Sequence, residues 1–451
     1  MGGLAYLCLL SFALIFYLER IAILDASFQM FLVLKTNNWA IQVNRFGAFI
    51  TQIYPLLASK AGLNFVWVSK LYSISFVLFP LGIFLLLGLR LKEKGMALGL
   101  ILFSILMSRY TFYWIQSELI QGIVYTFLYI GVSRKANRMV NSYWIIGLKF
   151  LLLVTIAFCH PLLLFALVFY WLNDSVDNRN GNRVYWGDFL FFICLLIIKQ
   201  QFFKNWYDSQ SYSNLKNFIT WFPKYWTMPS NKLFLKTILF DYWIFGLFVL
   251  ITVASLLYQK FYKKLILLCL FSSAYLFLLN VTYADGADQF YIESMYLLLS
   301  FYFIISFVTN VLPLLLGFKW IEPFVAVLFL SCLIQIYARH STFTKRVDWN
   351  KKVLSQAVAS KHDKVFITKA QVPKDTVLMD WGISYENWVL SNIIYGRTIS
   401  VSIEEQPGEL EWAINKNKTF VSKFGTWDYS EFPKNYFGFG DTTNYIRLNL
   451  N

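Results

Sequence analysis

The run Tyr143–Asn173, YWIIGLKFLLLVTIAFCHPLLLFALVFYWLN, decides how the chain is threaded. It carries one charge, Lys149, and it is longer than a single crossing needs, since a transmembrane helix takes roughly 20 mainly apolar residues. His160-Pro161 interrupts it, and proline removes a backbone donor and breaks or kinks a helix. Loop charge chooses between one long crossing and two short ones. Three short basic loops, Arg90–Lys94, Arg134-Lys135 with Arg138, and Lys260 with Lys263-Lys264, are expected on the cytoplasmic side. Between Arg138 and Lys260 the chain must then leave and return an even number of times. A single span over Tyr143–Asn173 would put Lys263 outside. Splitting the run at His160-Pro161 keeps it inside.

The same reading extends along the chain. Further apolar runs are Leu4–Leu18, Phe65–Leu89, Met96–Ser108, Leu119–Val132, Phe189–Ile198, Ile238–Tyr258, Leu265–Val281, Tyr291–Leu312 and Ile321–Ala338. Leu4–Leu18 has no basic segment before it and no small-x-small cleavage site after it, so it is expected to be a retained first span. The expected architecture is an α-helical polytopic membrane domain of about 11 spans over 1–338, with the N-terminus cytoplasmic. The first external loop covers about 19–64, and Gln200–Thr237 and Tyr283–Phe290 are further external loops. The expected location is the cell (inner) membrane.

Composition agrees. Of 451 residues, 58% are apolar, 20% aromatic and 14% charged. A soluble domain averages about 45–50% apolar and about 25% charged, so a soluble enzyme of this size is excluded. Disordered, collagenous and disulfide-scaffold classes fall on the same numbers. The net charge of +15 has an ordinary cause in the anionic cytoplasmic lipid surface, so nucleic-acid binding is not needed to explain it. Cys8, Cys159, Cys194, Cys269 and Cys332 all sit in apolar runs without clustered spacing, and the expectation is five small buried hydrophobes. With three histidines in all, a His-based metal site is not expected.

From Arg339 the chain changes character. Residues 339–451 carry frequent Lys, Asp and Glu, and their number suits one small domain. Lys364–Thr368, Thr376–Met379, Thr398–Ile403 and Tyr445–Leu448 read as strands, and Tyr385–Tyr395 as a helix. This points to a small α/β soluble domain, placed extracytoplasmically by odd parity. Its tryptophans, Trp381, Trp388, Trp412 and Trp427, either stack on sugars or fill a core.

With this threading the ionisable residues gather on one face of the membrane. Asp25 follows span 1, and Arg45 lies in the same loop. Arg109 ends span 3 and Glu118 begins span 4. His160 is at the break, Lys199 ends span 7, Asp285, Asp288 and Glu293 precede span 10, and Arg339 follows span 11. Ionisable residues at membrane depth are costly and are functional candidates by default. Each has a plain structural alternative. Asp25 could flank a helix end, and Glu118 is favoured by the helix dipole without any role. The acids of 285–293 could be a solvated loop, and Arg45, Arg109 and Lys199 could snorkel. His160 could cap the broken helix pair.

The segment Glu19-Arg20-Ile-Ala-Ile-Leu-Asp25-Ala-Ser-Phe-Gln29, followed by the apolar, Pro-containing stretch Phe46–Leu57, resembles the GT-C superfamily of polytopic glycosyltransferases. That class includes the protein O-mannosyltransferases and aminoarabinose transferases. The resemblance covers the whole chain as architecture. As motif it rests on Asp25, supported by Glu118 and the Tyr283–Glu293 loop. The mannosyltransferases often carry two adjacent acids, whereas Ala26 follows Asp25 here. The resemblance implies transfer of a sugar from a polyprenyl-phosphate lipid to a glycan, lipid or protein acceptor outside the cytoplasm. Asp25 would act as general base, with Glu118 the second catalytic candidate. Arg45, Arg109, Lys199 and Arg339 would meet the lipid phosphate, and His160, Asp285, Asp288 and Glu293 would complete the substrate site. A divalent metal is possible but not required. Two other classes stay open: a lipid or solute transporter, disfavoured by the lack of an internal repeat, and a non-catalytic membrane subunit whose external tail binds a partner.

Overall fold

The computed structural model describes residues 1–115, 118–138, 143–176, 185–205, 218–286, 289–315, 317–406, 408–410, 412, 417–440 and 442–450. The chain is mostly helical, with small sheets near its C-terminal end. Four helical stretches are long and apolar enough to cross a membrane: Phe65–Arg90, Tyr262–Thr282, Glu293–Leu315 and Ile321–Ala359. A fifth candidate is the pair Pro229–Asp241 and Trp243–Tyr258. Apolar helices Gly2–Ile15, Lys94–Leu106, Tyr143–Ala157 and Leu163–Ser175 are shorter. These are the helices of a multi-pass membrane protein. Glu293–Leu315 is the central one, with 78% of its apolar window buried, whereas the windows of Tyr262–Thr282 and Ile321–Ala359 are 28% and 22% buried. The outer faces carry exposed Leu151, Leu190, Leu250, Ile266 and Leu330. Water would penalise such faces and lipid would not.

Local chemistry accounts for several boundaries. Asn64 caps the helix Phe65–Leu85, its side chain accepting from Trp67 N at 3.0 Å. The Tyr143–Asn173 run is two helices, Tyr143–Ala157 and Leu163–Ser175, broken where His160-Pro161 stands. The run Ile238–Tyr258 differs from its sequence reading as one span. Pro229–Asp241 and Trp243–Tyr258 meet at 93°. Tyr242 at the corner is non-helical (φ −115°, ψ 36°), and its hydroxyl donates to Glu293. The cysteines also divide: Cys159 and Cys332 are buried, Cys8 is partly buried, and Cys194 and Cys269 are exposed on apolar outer faces.

The C-terminal part begins as a helix, His340–Ala359, that continues beyond Ile321–Ala338 and buries Phe343, Val347, Leu354 and Ala357 at helical spacing. Strand Lys364–Thr368 lies between Ser400–Glu404 and Ile446–Arg447, parallel to both. The helix Ile383–Tyr395 connects the first pair. The expected strand Thr376–Met379 is a turn instead, because Val377 N closes back on Pro373 O at 2.8 Å. An antiparallel hairpin, Thr419–Ser422 with Gly425–Asp428, was not expected. The aromatic core here is completed from the far end of the sequence. Phe31, in the helix Leu24–Thr36, packs on Tyr385, Trp388, Phe420 and Phe437 at 5.0–5.5 Å between ring centroids.

Two polar networks mark opposite ends of the helical part. At one end, Tyr436 donates to Leu63 O at 2.8 Å and Lys35 pairs with Glu431 at 2.8 Å, tying the 19–64 segment to the C-terminal part. At the other, Arg134 lies 3.8 Å from Glu93 and 3.9 Å from Asp174, and Lys135 donates to Arg90 O.

Candidate functional site

Asp25 stands in the first turn of the helix Leu24–Thr36. Its neighbour Leu24 has φ 33°, a sterically costly value for a branched residue. The strained backbone is held from the C-terminal part: Leu24 N donates to Glu386 Oε1 at 2.9 Å. Glu386 is itself fixed by Arg346, with Nη2 at 2.7 Å and Nε at 2.9 Å, and by Asn350 at 3.0 Å. Gly382 permits this approach, since a Cβ there would lie 2.8 Å from Leu24 Cα.

The Asp25 carboxylate accepts from Trp114 Nε1 at 3.2 Å. It is surrounded by protein but keeps some accessible surface. Burial, and then the nearby Glu118 carboxylate, push its pKa up to about 7, against the opposing pull of the Trp114 indole and of Arg45. Glu118, in the first turn of its helix, faces Arg45 Nη1 at 3.7 Å. Tyr72 stands in the field of both carboxylates and donates to Gln29 Oε1 at 3.0 Å.

Arg45 reaches this place because the segment Phe46–Gln52 docks against the broken helix pair. Gly47 N donates to Phe158 O at 3.1 Å, and a Cβ on Gly47 would come within 2.3 Å of Cys159 Sγ. Arg45 and Lys199 both act electrostatically on Cys159 and His160, so the two cations share one neighbourhood. Lys199 donates to Ala157 O at 2.9 Å, closing a helix end. His160 Nδ1 accepts from Leu162 N at 3.2 Å, a local turn just ahead of the helix Leu163–Ser175. Lys199 also lines a groove of about 390 Å³ with Leu164, Ile193, Leu196, Phe203 and Lys204. A second, small cavity of about 70 Å³ lies among Tyr6, Phe79, Pro80, Phe103, Ile120 and Val124, with Gln121 one helical turn from Glu118.

Thus Asp25, Glu118, Arg45, His160 and Lys199 come together. Arg109, Glu293 and Arg339 form another group. Both oxygens of buried Glu293 are taken by the chain itself: Arg109 N at 3.1 Å, Tyr110 N at 2.8 Å, Thr111 N at 2.7 Å and Thr111 Oγ1 at 2.5 Å, with the Tyr242 hydroxyl in addition. Arg109 donates to Gln335 at 2.9 Å, and Arg339 to Asp241 at 3.2 Å. Glu293 therefore shapes the turn that delivers Trp114 to Asp25. Asp285 is exposed, and Asp288 lies outside the described residues. Among the described residues no group of three His, Cys, Asp or Glu side chains gathers as a metal site would require.

Sequence reading missed Trp114, Arg346, Glu386 and Arg20. Arg20 is buried, with Nε 3.0 Å from Ser73 Oγ and Nη1 on Phe112 O, so it fixes the same turn from below. Arg20 stands between the apolar stretches Leu4–Leu18 and Ile21–Leu24, which was a usable signal for it. The others carry no local signal. The chain matches no family model, no curated protein and no solved structure.

Proposed function

We propose that the chain is a membrane glycosyltransferase of the GT-C type, moving a sugar from a polyprenyl-phosphate donor to an extracytoplasmic acceptor. The observation that carries this reading is the raised pKa of Asp25 at a partly open position beside Glu118 and Arg45, with Lys199 in the neighbourhood of Arg45. A base poised near neutrality suits removal of an acceptor proton. In the step, an acceptor hydroxyl oxygen attacks the anomeric carbon and its proton passes to the Asp25 carboxylate. The bond from the anomeric carbon to the phosphate oxygen breaks, and polyprenyl phosphate leaves with the electron pair. Arg45 and Lys199 offset the charge gained there, and the apolar groove beside Lys199 takes the lipid tail. Arg109 and Arg339 belong to the Glu293 group, whereas Arg45 acts on Asp25 and shares a neighbourhood with Lys199, so Arg45 and Lys199 are the phosphate contacts proposed.

The proposal includes about 11 spans in the cell (inner) membrane, a cytoplasmic N-terminus and an extracytoplasmic domain from 339 onward. Contacts of Lys35 with Glu431 and of Tyr436 with Leu63 support a common side for the first loop and the tail. The gathering of Arg90, Glu93, Arg134 and Lys135 at another end supports a common cytoplasmic side for the basic loops.

Native mass spectrometry of the purified chain with undecaprenyl phosphate and with undecaprenol tests the donor site. The phosphate form is retained by wild type and lost on Arg45→Glu or Lys199→Glu, with undecaprenol unaffected. Arg109→Glu and Arg339→Glu keep it. Equal retention of both lipids by wild type and all four variants sinks the reading.

A further inference from the structure

The C-terminal part has a cleft that none of the foregoing chemistry uses. It has a volume of about 190 Å³ and is lined by Asp380, Trp381, Glu405, Glu409, Trp412 and Lys423, among others. One wall is rigid: Trp381 packs edge-on against Phe28 at 6.2 Å and on Phe424 at 5.2 Å. Trp412 lines the cleft and is 49% exposed. The carboxylates are held in place. Asp380 pairs with Lys369 at 3.3 Å, Glu405 pairs with Lys423, and Glu409 accepts from the backbone of Glu405 at 3.0 Å and of Gln406 at 3.3 Å. An ionised carboxylate has about four lone-pair sites, so each keeps acceptor capacity towards the cleft.

This combination selects a ligand class. A pyranose ring offers an apolar C–H face to an indole and a rim of hydroxyl donors to carboxylates. Three acids, Asp380, Glu405 and Glu409, against Lys423 and the Lys369 that pairs with Asp380 leave an excess of negative charge, which disfavours phosphorylated or uronic polymers. The charged lining rejects an acyl chain, because buried charges facing hydrocarbon are costly. We infer that this cleft binds a neutral or amine-bearing glycan. Phe28, which carries Trp381, lies on the same helix as Asp25, one turn on. On the transferase reading the ligand is the acceptor, but the binding site stands without that reading.

Saturation-transfer NMR on the full chain in detergent measures binding without any transfer reaction. The probes are N-acetylchitotetraose, its de-acetylated amine form, tetragalacturonate and tetralysine. Ring protons of the first two receive saturation in wild type. Trp412→Ala weakens this by about tenfold, the scale of one lost aromatic contact. Trp381→Phe, which keeps the packing on Phe28, weakens it too. Tetragalacturonate receives none. The inference is overturned by silence from both chitotetraose forms, by equal binding of tetragalacturonate, by tetralysine binding alone, or by undiminished binding in both variants. Loss of donor-lipid retention with glycan binding intact overturns only the transferase.

Discussion

The backbone N–H of Leu24 and the carboxylate of Glu386 are 362 positions apart in sequence and 2.9 Å apart in space. This bond holds a strained residue immediately before Asp25, so the C-terminal part sets the geometry of the candidate base. Removing it leaves Arg346 buried without its partner. Breaking a buried pair from one side costs about 3–5 kcal/mol. Glu386→Ala is expected to lower the melting temperature of the detergent-solubilised chain by several degrees, and Glu386→Gln by less. Unchanged unfolding in both variants would show that Leu24 is held by something else.

Asp25 itself is expected to limit activity on the acid side. With a pKa near 7, the carboxylate is the ionised base only above that pH, so release of undecaprenyl phosphate from an undecaprenyl-phosphate sugar should rise with pH and level off past about 7. Two substitutions should move the limb in opposite directions. Trp114→Phe removes a donor to the charged form and shifts it up. Glu118→Gln removes a like charge and shifts it down. A limb that stays put in both variants assigns the titration elsewhere.

Asp25→Asn should lower turnover by about 10²–10⁴-fold without destabilising the fold. The sign follows from the raised pKa: ionising Asp25 costs the folded state more than the unfolded one. Its stabilising contribution is present below the ordinary carboxylate range and is lost as pH rises through about 7. The Asn variant should therefore unfold no lower than wild type at pH 8. A marked drop in its melting temperature would make Asp25 structural.

Gly47 is the joint through which Arg45 meets Glu118. An added methyl would lie 2.3 Å from Cys159 Sγ and 2.5 Å from Thr155 O. Overpacking of this kind costs about 1–3 kcal/mol. Gly47→Ala should lower the melting temperature and weaken retention of undecaprenyl phosphate together, whereas Gly62→Ala, with open space around it but φ 71°, should affect only the first.

The threading has its own test. In a cysteine-free background, Lys263→Cys should resist an impermeant maleimide in intact cells, and Lys361→Cys should react. Both side chains are exposed, so access is decided by the membrane alone. The reverse pattern would put every proposed site residue on the wrong face.

Much of the helical layout was written locally. Apolar runs announce membrane helices because lipid tolerates them, and His160-Pro161 breaks its run because proline cannot donate the next hydrogen bond. The strand Lys364–Thr368 and the helix ending at Tyr395 were legible for similar reasons. Loop charge and parity led to the expectation that Asp25, Arg45, Glu118, His160 and Lys199 share one face, and packing brings these residues into one neighbourhood. What the tertiary structure decided is which acids were spoken for. Glu293 was a candidate in sequence as Asp25 was, yet its oxygens are consumed by the 109–111 backbone, while the Asp25 carboxylate is met by the Trp114 indole and its own backbone N–H. Trp114, Arg346 and Glu386 act on Asp25 or its helix only because distant segments pack together, and no window of neighbouring residues records a hydrogen bond made across hundreds of positions.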